Sequence, residues 1–233
     1  MMSAMDSAPI SFVFFQVPST SAIRAFAFFK SVQSTDSHLF PRSEEDLYRY
    51  ATEGALFGIR LSDSDEFVGL CYAVLNQEET EFEIGGLIVA STAQNLGLGT
   101  ILTRFAVAHV IANERPWHYK REIISHIHES NNAPRNVFAT SWFTFVGKEI
   151  VPEEHAPASM KRNADGQLVG DKFLFPRSSV PALSKWLDEE FDGTLRNDAV
   201  IVIELPPAGL DGLRSALHEE IQDMAAAGGN RGT

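Results

Sequence analysis

The stretch best suited to chemistry runs from Glu83 to Arg104, EIGGLIVASTAQNLGLGTILTR. It reads as an apolar strand, a short loop, a glycine-spaced turn and an amphipathic helix. Gly97 and Gly99 stand where the loop becomes the helix. Glycine there lets the backbone approach a ligand closely and adopt positive φ. The unbonded N–H groups of a helix N-terminus, with the dipole behind them, favour an anion such as a pyrophosphate. A Walker loop would require Gly-Lys-Ser/Thr, but Gly99 is followed directly by Thr100. A Rossmann fingerprint would require a third glycine where Leu102 stands. Both are disfavoured.

Other reactive side chains give weaker signals. Cys71 lies on an apolar strand and reads as core. As the single cysteine, it excludes a disulfide within these residues and any multi-cysteine metal site. His126 and His128 share one strand face, where they could line an acceptor pocket; with no third ligand apparent, no metal is expected. His109 reads as a packing or exposed residue. The acidic group Asp188, Glu189, Glu190 and Asp192 reads as a solvated helix end. Residues 117–121 read as a helix-to-strand connection.

These groups need elements to hold them. Residues 11–17 read as a buried strand closed by Pro18. Residues 20–33 carry Ile23, Phe26, Phe29 and Val32 at helical spacing. Ser43 ahead of Glu44, Glu45 and Asp46 marks a helix start, and that helix runs to about Gly54. Strands at 55–61, 67–75 and 81–90, the first two joined by a turn-forming Ser-Asp cluster, form a β-meander. A helix at 97–114 ends before Pro116, and 122–128 alternate like a strand. A short helix is expected near 132–142, a strand near 143–151, a long loop at 152–170 and a short strand at 171–175. Beyond these come a helix at 179–191, a strand at 199–205, an amphipathic helix at 210–227 and a disordered tail at 228–233. Two organisations stay open. The part after Phe175 is an addition, or 199–205 is the last core strand and 152–198 an insertion.

The bulk properties fit a mixed α/β globular chain. With 233 residues, 44% hydrophobic and 21% charged, burying a core is feasible and wholesale disorder is disfavoured. A net charge of −12 argues against nucleic acid or an anionic membrane surface as the main partner. No basic n-region opens the sequence, and no apolar run approaches the length of a membrane span. The default expectation is a cytoplasmic protein. Phenylalanine is in excess, 17 against 4 tyrosines, and this bears on the chemistry below.

Gln94-x-x-Gly97-x-Gly99 matches the Gln/Arg-x-x-Gly-x-Gly/Ala signature of the GNAT superfamily of N-acetyltransferases, which bind the acetyl-CoA pyrophosphate at this turn. Residues 87–91 resemble that family's fourth strand, and the order of elements upstream and downstream is similar. The resemblance covers roughly residues 10–175. It implies a GNAT fold: a central mixed, mostly antiparallel sheet flanked by helices, with residues 1–175 as the acyl-CoA-binding domain and 176–233 as a C-terminal α/β extension. It further implies that backbone groups of Leu87, Ile88 and Val89 hold the pantetheine arm and acyl oxygen. Gly85 and Gly86 fit the bulge that splays this strand. The amides of Gln94, Asn95, Leu96, Gly97, Leu98, Gly99 and Thr100 would hold the pyrophosphate. Glu83 falls where many members carry a general base, and Glu81 points the same way at strand period two. Asn131 matches the asparagine after the fifth strand that contacts the cofactor arm or the acceptor.

One position departs from the family. A tyrosine that protonates the leaving thiolate often lies seven residues after that asparagine, where this chain has Phe138. Either Tyr72, Tyr119 or solvent serves instead, or the thiolate leaves unassisted. The leading expectation is an acetyl-CoA-dependent N-acetyltransferase acting by direct transfer to a small-molecule or peptide amine, without metal, nucleic acid or membrane. Glu78, Glu79, Glu81 and Glu83 favour a cationic amine. The alternative is a non-catalytic acyl-CoA-binding or regulatory module on the same fold, its extension offering an interface such as that of a homodimer. An unrelated α/β nucleotide binder survives only if the meander is wrong. Acceptor choice would lie in the loops from Val32 to Arg42 and from Pro152 to Gly170.

Overall fold

A computed structural model describes residues 9–35, 38–151, 162, 164–205 and 209–229. Among them, eight strands form one sheet in the order β6-β7-β5-β4-β3-β2-β1-β8. The meander is present: β1 (Ser11–Gln16), β2 (Leu56–Leu61), β3 (Phe67–Leu75) and β4 (Glu81–Val89) pair antiparallel in succession. β5 (Glu122–His128) then joins β4 in parallel. β7 (Val169–Phe175) lies antiparallel between β5 and the edge strand β6 (Thr144–Ile150). β7 starts two residues earlier than the alternation suggests, inside the expected loop. Residues 152–161 of that loop lie outside the described residues.

The two sheet faces carry different layers. α1 (Ala22–Gln33) and α2 (Glu44–Thr52) cover one face, packing Phe29, Leu47 and Tyr50 against Leu70, Tyr72 and Ile88. A reciprocal capping box starts α2: Ser43 Oγ accepts from the Asp46 amide at 3.0 Å, and the Asp46 carboxylate accepts from the Ser43 amide at 3.0 Å. α3 (Leu98–Glu114) covers the other face and is itself covered by α6 (Gly209–Gly229), so it is buried nearly all round. Leu102 and Phe105 on α3 are fully buried, each contributing about 2 kcal/mol. Much of the phenylalanine excess sits in this layer, where Phe14, Phe57 and Phe105 stack around one another. Cys71 is fully buried there and bonds to the Leu102 carbonyl. His109 packs edge-on against Phe57 with ring centroids 4.9 Å apart.

The segment after Phe175 is woven into the sheet. β8 (Val200–Glu204) adds to the outer edge of β1 in parallel, Phe12 facing Ile201 and Phe14 facing Ile203. The single helix expected at 179–191 is α5 (Val180–Lys185) followed by a wider turn, Trp186–Glu190. The acidic group there is exposed as expected, and two of its members also make pairings. Asp188 binds His218 at 2.8 Å and Arg214 at 3.5 Å, both on α6, and Asp192 accepts the Thr194 amide at 2.7 Å. α6 continues to Gly229; the rest of the expected tail lies outside the described residues. No helix among the described residues is long and apolar enough to cross a membrane.

Candidate active site

The site starts from a change within β4. Glu81, Phe82 and Glu83 pair with Glu122, Ile123 and Ile124 of β5, and there the pairing stops. Beyond Glu83 the two parallel strands separate. On its other edge β4 stays with β3, but Tyr72 faces Gly85 and Leu70 faces Ile88. Cys71 therefore opposes two residues, Gly86 and Leu87, which is a β-bulge. Gly86 has φ +58, and a Cβ there would lie 2.6 Å from the Tyr72 ring. A Cβ on Gly85 would lie 2.4 Å from Tyr72 Oη. The glycine pair thus lets the Tyr72 ring lie across the strand; Gly85, Gly86 and Leu87 line the gap, while Ile88 and Val89 stay paired with Leu70 and Gly69 of β3.

The strand leads into the glycine-spaced turn. The Gln94 side-chain amide donates to the Val89 carbonyl at 3.3 Å and ties the turn to the strand. Asn95 (φ +65) and Gly97 (φ +94) are left-handed, and α3 begins at Leu98. The first bond into α3 runs from the Ile101 amide to the Gly97 carbonyl at 3.2 Å, so the amides of Leu98, Gly99 and Thr100 precede the intrahelical ladder. Leu96 and Leu98 bury their side chains and anchor the turn from below. A Cβ on Gly97 would meet no atom within 4 Å, so the space over the turn is open. One on Gly99 would come within 3.4 Å of Val137, so α4 (Asn132–Thr140) flanks the turn closely.

Between the parted strands lies a cleft walled by His38, Tyr72, Glu83, His126, His128 and Asn131. Glu83 and His126 face each other with Oε1 3.7 Å from Nδ1, and His126 Nε2 lies 2.9 Å from Glu149 Oε2 on β6. Burial would lower the His126 pKa, but Glu83 and Glu149 outweigh it and raise the group above its ordinary range. His128 bonds through Nδ1 to Ser130 Oγ at 2.8 Å, and its ring lies 5.3 Å from that of His38. Asn131 stands at the N-terminus of α4 without capping it. Arg42 donates to Tyr72 Oη at 2.5 Å, and burial pushes the Tyr72 pKa far up, so the phenol stays protonated.

The expected site residues divide. Glu83, Leu87 and Asn131 line the cleft, and residues 94–100 form the turn at its end. Glu81 is engaged away from the cleft, 2.6 Å from Lys172 Nζ on β7. Glu79 likewise pairs with Arg121 at 3.1 Å, so much of the hairpin's acidity is balanced within the chain. Phe138 is fully buried, edge-on to Phe143, and brings no polar atom. Of the substitute tyrosines, Tyr72 lies at the cleft whereas Tyr119 is 67% exposed outside it. His126 and His128 belong to no group of three metal-donor side chains among the described residues. Arg42, Glu149 and Lys172 were not singled out in the sequence. The Pro41-Arg42-Ser43 run ahead of the α2 cap, and the Lys148-Glu149 pair in an otherwise apolar strand, were the available signals.

Comparisons with known proteins bear on this arrangement. The Acetyltransferase (GNAT) family model matches residues 23–141, slightly more than half of the chain. No curated protein sequence matches. Among solved structures, diaminobutyrate acetyltransferase EctA from Paenibacillus lautus, in complex with L-2,4-diaminobutyric acid and coenzyme A, is similar at 14% identity and TM-score 0.54, over 72% of this chain and 96% of its own. A GNAT-family acetyltransferase from Streptococcus pneumoniae is similar at 12% identity and TM-score 0.54, over 71% and 99%. Arabidopsis thaliana NAA60, in complex with a bisubstrate analogue, is similar at 14% identity and TM-score 0.50, over 70% and 97%. At these identities the likeness is one of fold.

Proposed function

Because this chain belongs to the GNAT family of acetyltransferases, we propose that it moves an acetyl group from acetyl-CoA to an amine acceptor by direct attack in a ternary complex. The observation that carries this is the parting of β4 and β5 beyond Glu83 on the strand that leads into the open turn at Gly97. The donor fits there because no atom comes within 4 Å of a Cβ built on Gly97, leaving the helix N-terminus free to receive an anion. Bound acetyl-CoA supplies the activated acyl carbon and a thiolate leaving group.

The chain's own groups take the remaining roles. The amides of Gln94 through Thr100 hold the pyrophosphate, and backbone groups of Leu87, Ile88 and Val89 hold the pantetheine arm and stabilise the developing oxyanion. Glu83 takes a proton from the acceptor ammonium so that its nitrogen can attack. Asn131 flanks the reacting groups. Tyr72 protonates the thiolate in place of the missing tyrosine at 138. Since Arg42 donates into Tyr72 Oη, the phenolic proton is left to point elsewhere, toward the cleft. Residues 1–175 form the acyl-CoA-binding domain and 176–233 the extension. A small-molecule amine is supported by the L-2,4-diaminobutyric acid substrate of EctA, and a peptide amine is the other acceptor class.

Acetyl-CoA should raise the melting temperature of the chain, and the Gly97→Glu variant should lose that response. No stabilisation in the wild type overturns the reading. A non-catalytic acyl-CoA-binding module is the second reading, favoured by the apolar Phe138. Stabilisation without thiol release across polyamines, amino acids and N-terminal peptides would support it.

A further inference from the structure

A base inside a cleft must return its proton to solvent in every cycle. Three titratable side chains on three strands line up to do this. Glu83 on β4 lies 3.7 Å from His126 Nδ1, and His126 Nε2 lies 2.9 Å from Glu149 on the edge strand β6. Glu83 and His126 are less than a third exposed, whereas the Glu149 side chain is 48% exposed. An imidazole with a carboxylate at each nitrogen can accept a proton on one and release it from the other.

We propose that His126 is a proton relay carrying the acceptor's proton from Glu83 to Glu149 and so to solvent. The inference rests on Glu83 being the base. In the starting tautomer Nε2 carries hydrogen toward Glu149, and the Nδ1 lone pair faces Glu83. Glu83, protonated by the ammonium, gives that proton to Nδ1. The Nε2 proton leaves to the Glu149 carboxylate and then to water. One N–H bond breaks on the amine and one O–H bond forms in solvent; the ring resets through the imidazolium, Nε2 taking a proton from water and Nδ1 releasing its own to water once the product has left the cleft, so the net transfer stays one proton from amine to solvent.

The charges around the ring favour its taking up a proton from Glu83 and hold Glu149 at Nε2 as the outlet toward water. Lys172, paired with His126 across β5 and β7, holds Glu149 at 3.1 Å and Glu81 at 2.6 Å. Lys172 and Glu149 are thereby locked together, with Glu149 held ionised below its usual range by His126 and Lys172 despite some burial. His128 faces the same side two residues on, but is engaged with Ser130, and His38 stacks on His128 rather than on His126. With a carboxylate at each nitrogen, the imidazole takes up a proton readily and still has an exposed acceptor beyond it.

The experiment is a pH titration of histidine 15N signals in the full chain, with the His126 signal identified by its loss in His126→Gln. The relay expects Glu83→Gln and Glu149→Gln each to lower the His126 midpoint by about half a unit or more. A midpoint unmoved by either variant overturns it. Thiol release with the fastest wild-type amine gives the kinetic arm. His126→Gln should slow it about tenfold in dilute buffer and recover with added imidazole; a wild-type rate, or a loss indifferent to imidazole, overturns the relay. Glu149→Gln, on the exposed edge strand, should shift the pH–rate profile without changing stabilisation by acetyl-CoA, and an unchanged profile counts against the proposal. Failure of acetyl-CoA to stabilise the wild type overturns the coenzyme reading instead, and the titration reads the relay independently of turnover.

Discussion

Glu81–Ile84 and Gly85–Val89 are two halves of one strand with opposite duties. The first half is an ordinary interior segment, hydrogen-bonded to β3 and β5, with Phe82 and Ile84 buried in the core. The second keeps β3 through a bulge, has no pairing with β5, and presents its backbone to a cleft of charged and polar side chains. Both halves are apolar enough to be strand. Two adjacent glycines and a tyrosine ring laid across them make the difference. A sheet therefore acquires a backbone-lined site through a local failure of pairing, while the adjoining half keeps the strand in place.

The comparison breaks most visibly at Glu83, the last paired residue. Glu83→Gln should lower kcat about 100- to 1000-fold while leaving the melting temperature and acetyl-CoA stabilisation near wild type. An unchanged rate would remove the catalytic role from the boundary between the halves. Next comes a titration belonging wholly to the closed, apolar side. Burial against Phe57 lowers the His109 pKa from 6.5 to about 4. The folded-state pKa is depressed, so between those values the unfolded chain binds a proton that the folded chain does not. Stability should rise with pH from about 4 to about 6.5, by at most about 3 kcal/mol from this residue. Denaturant unfolding of wild type and His109→Leu across that window measures it, and a slope kept by the variant would assign the effect elsewhere. The smallest effect concerns the open half. Gly86→Ala forces a Cβ into positive φ and against the Tyr72 ring, and should cost about 2 kcal/mol together with part of the acetyl-CoA stabilisation. Ile84→Ala in the closed half should cost about as much or more in stability without that loss of ligand response.

Much of the fold was legible because it was written locally. The α3 stripe, the Ser43 cap and the meander turns each declare themselves within a few residues. The placement of β7 between β5 and β6, and of β8 beside β1, rests on pairings across long stretches of chain, for which a short apolar run carries no address. The site divides in the same way. Glu83 and the turn at Gly97 sit in one recognisable neighbourhood, and Asn131 follows the next strand. The groups that set their chemistry come from afar: Glu149 reaches His126 across 23 positions, Lys172 reaches Glu81 across 91, and Arg42 reaches Tyr72 across 30. The acidic hairpin shows the same limit. Its charge looked available to a cationic acceptor, whereas Arg121 and Lys172 already balance Glu79 and Glu81.

The parallel pairing of β8 on β1 has a consequence for how the chain is made. β1 leaves the ribosome well before β8. At about 5–20 residues per second, Val200 follows Gln16 by roughly 10 to 40 s. For that interval the outer edge of β1, with its Phe-Val-Phe-Phe run, has unpaired amides and carbonyls open to any passing strand. The meander, α3 and the cleft can all be assembled meanwhile, because β8 lies four strands away from β4. The strands and helix that frame the cleft are thus able to fold before β8 is added, and any delay in translation between the two strands lengthens the exposure of the chain's stickiest edge.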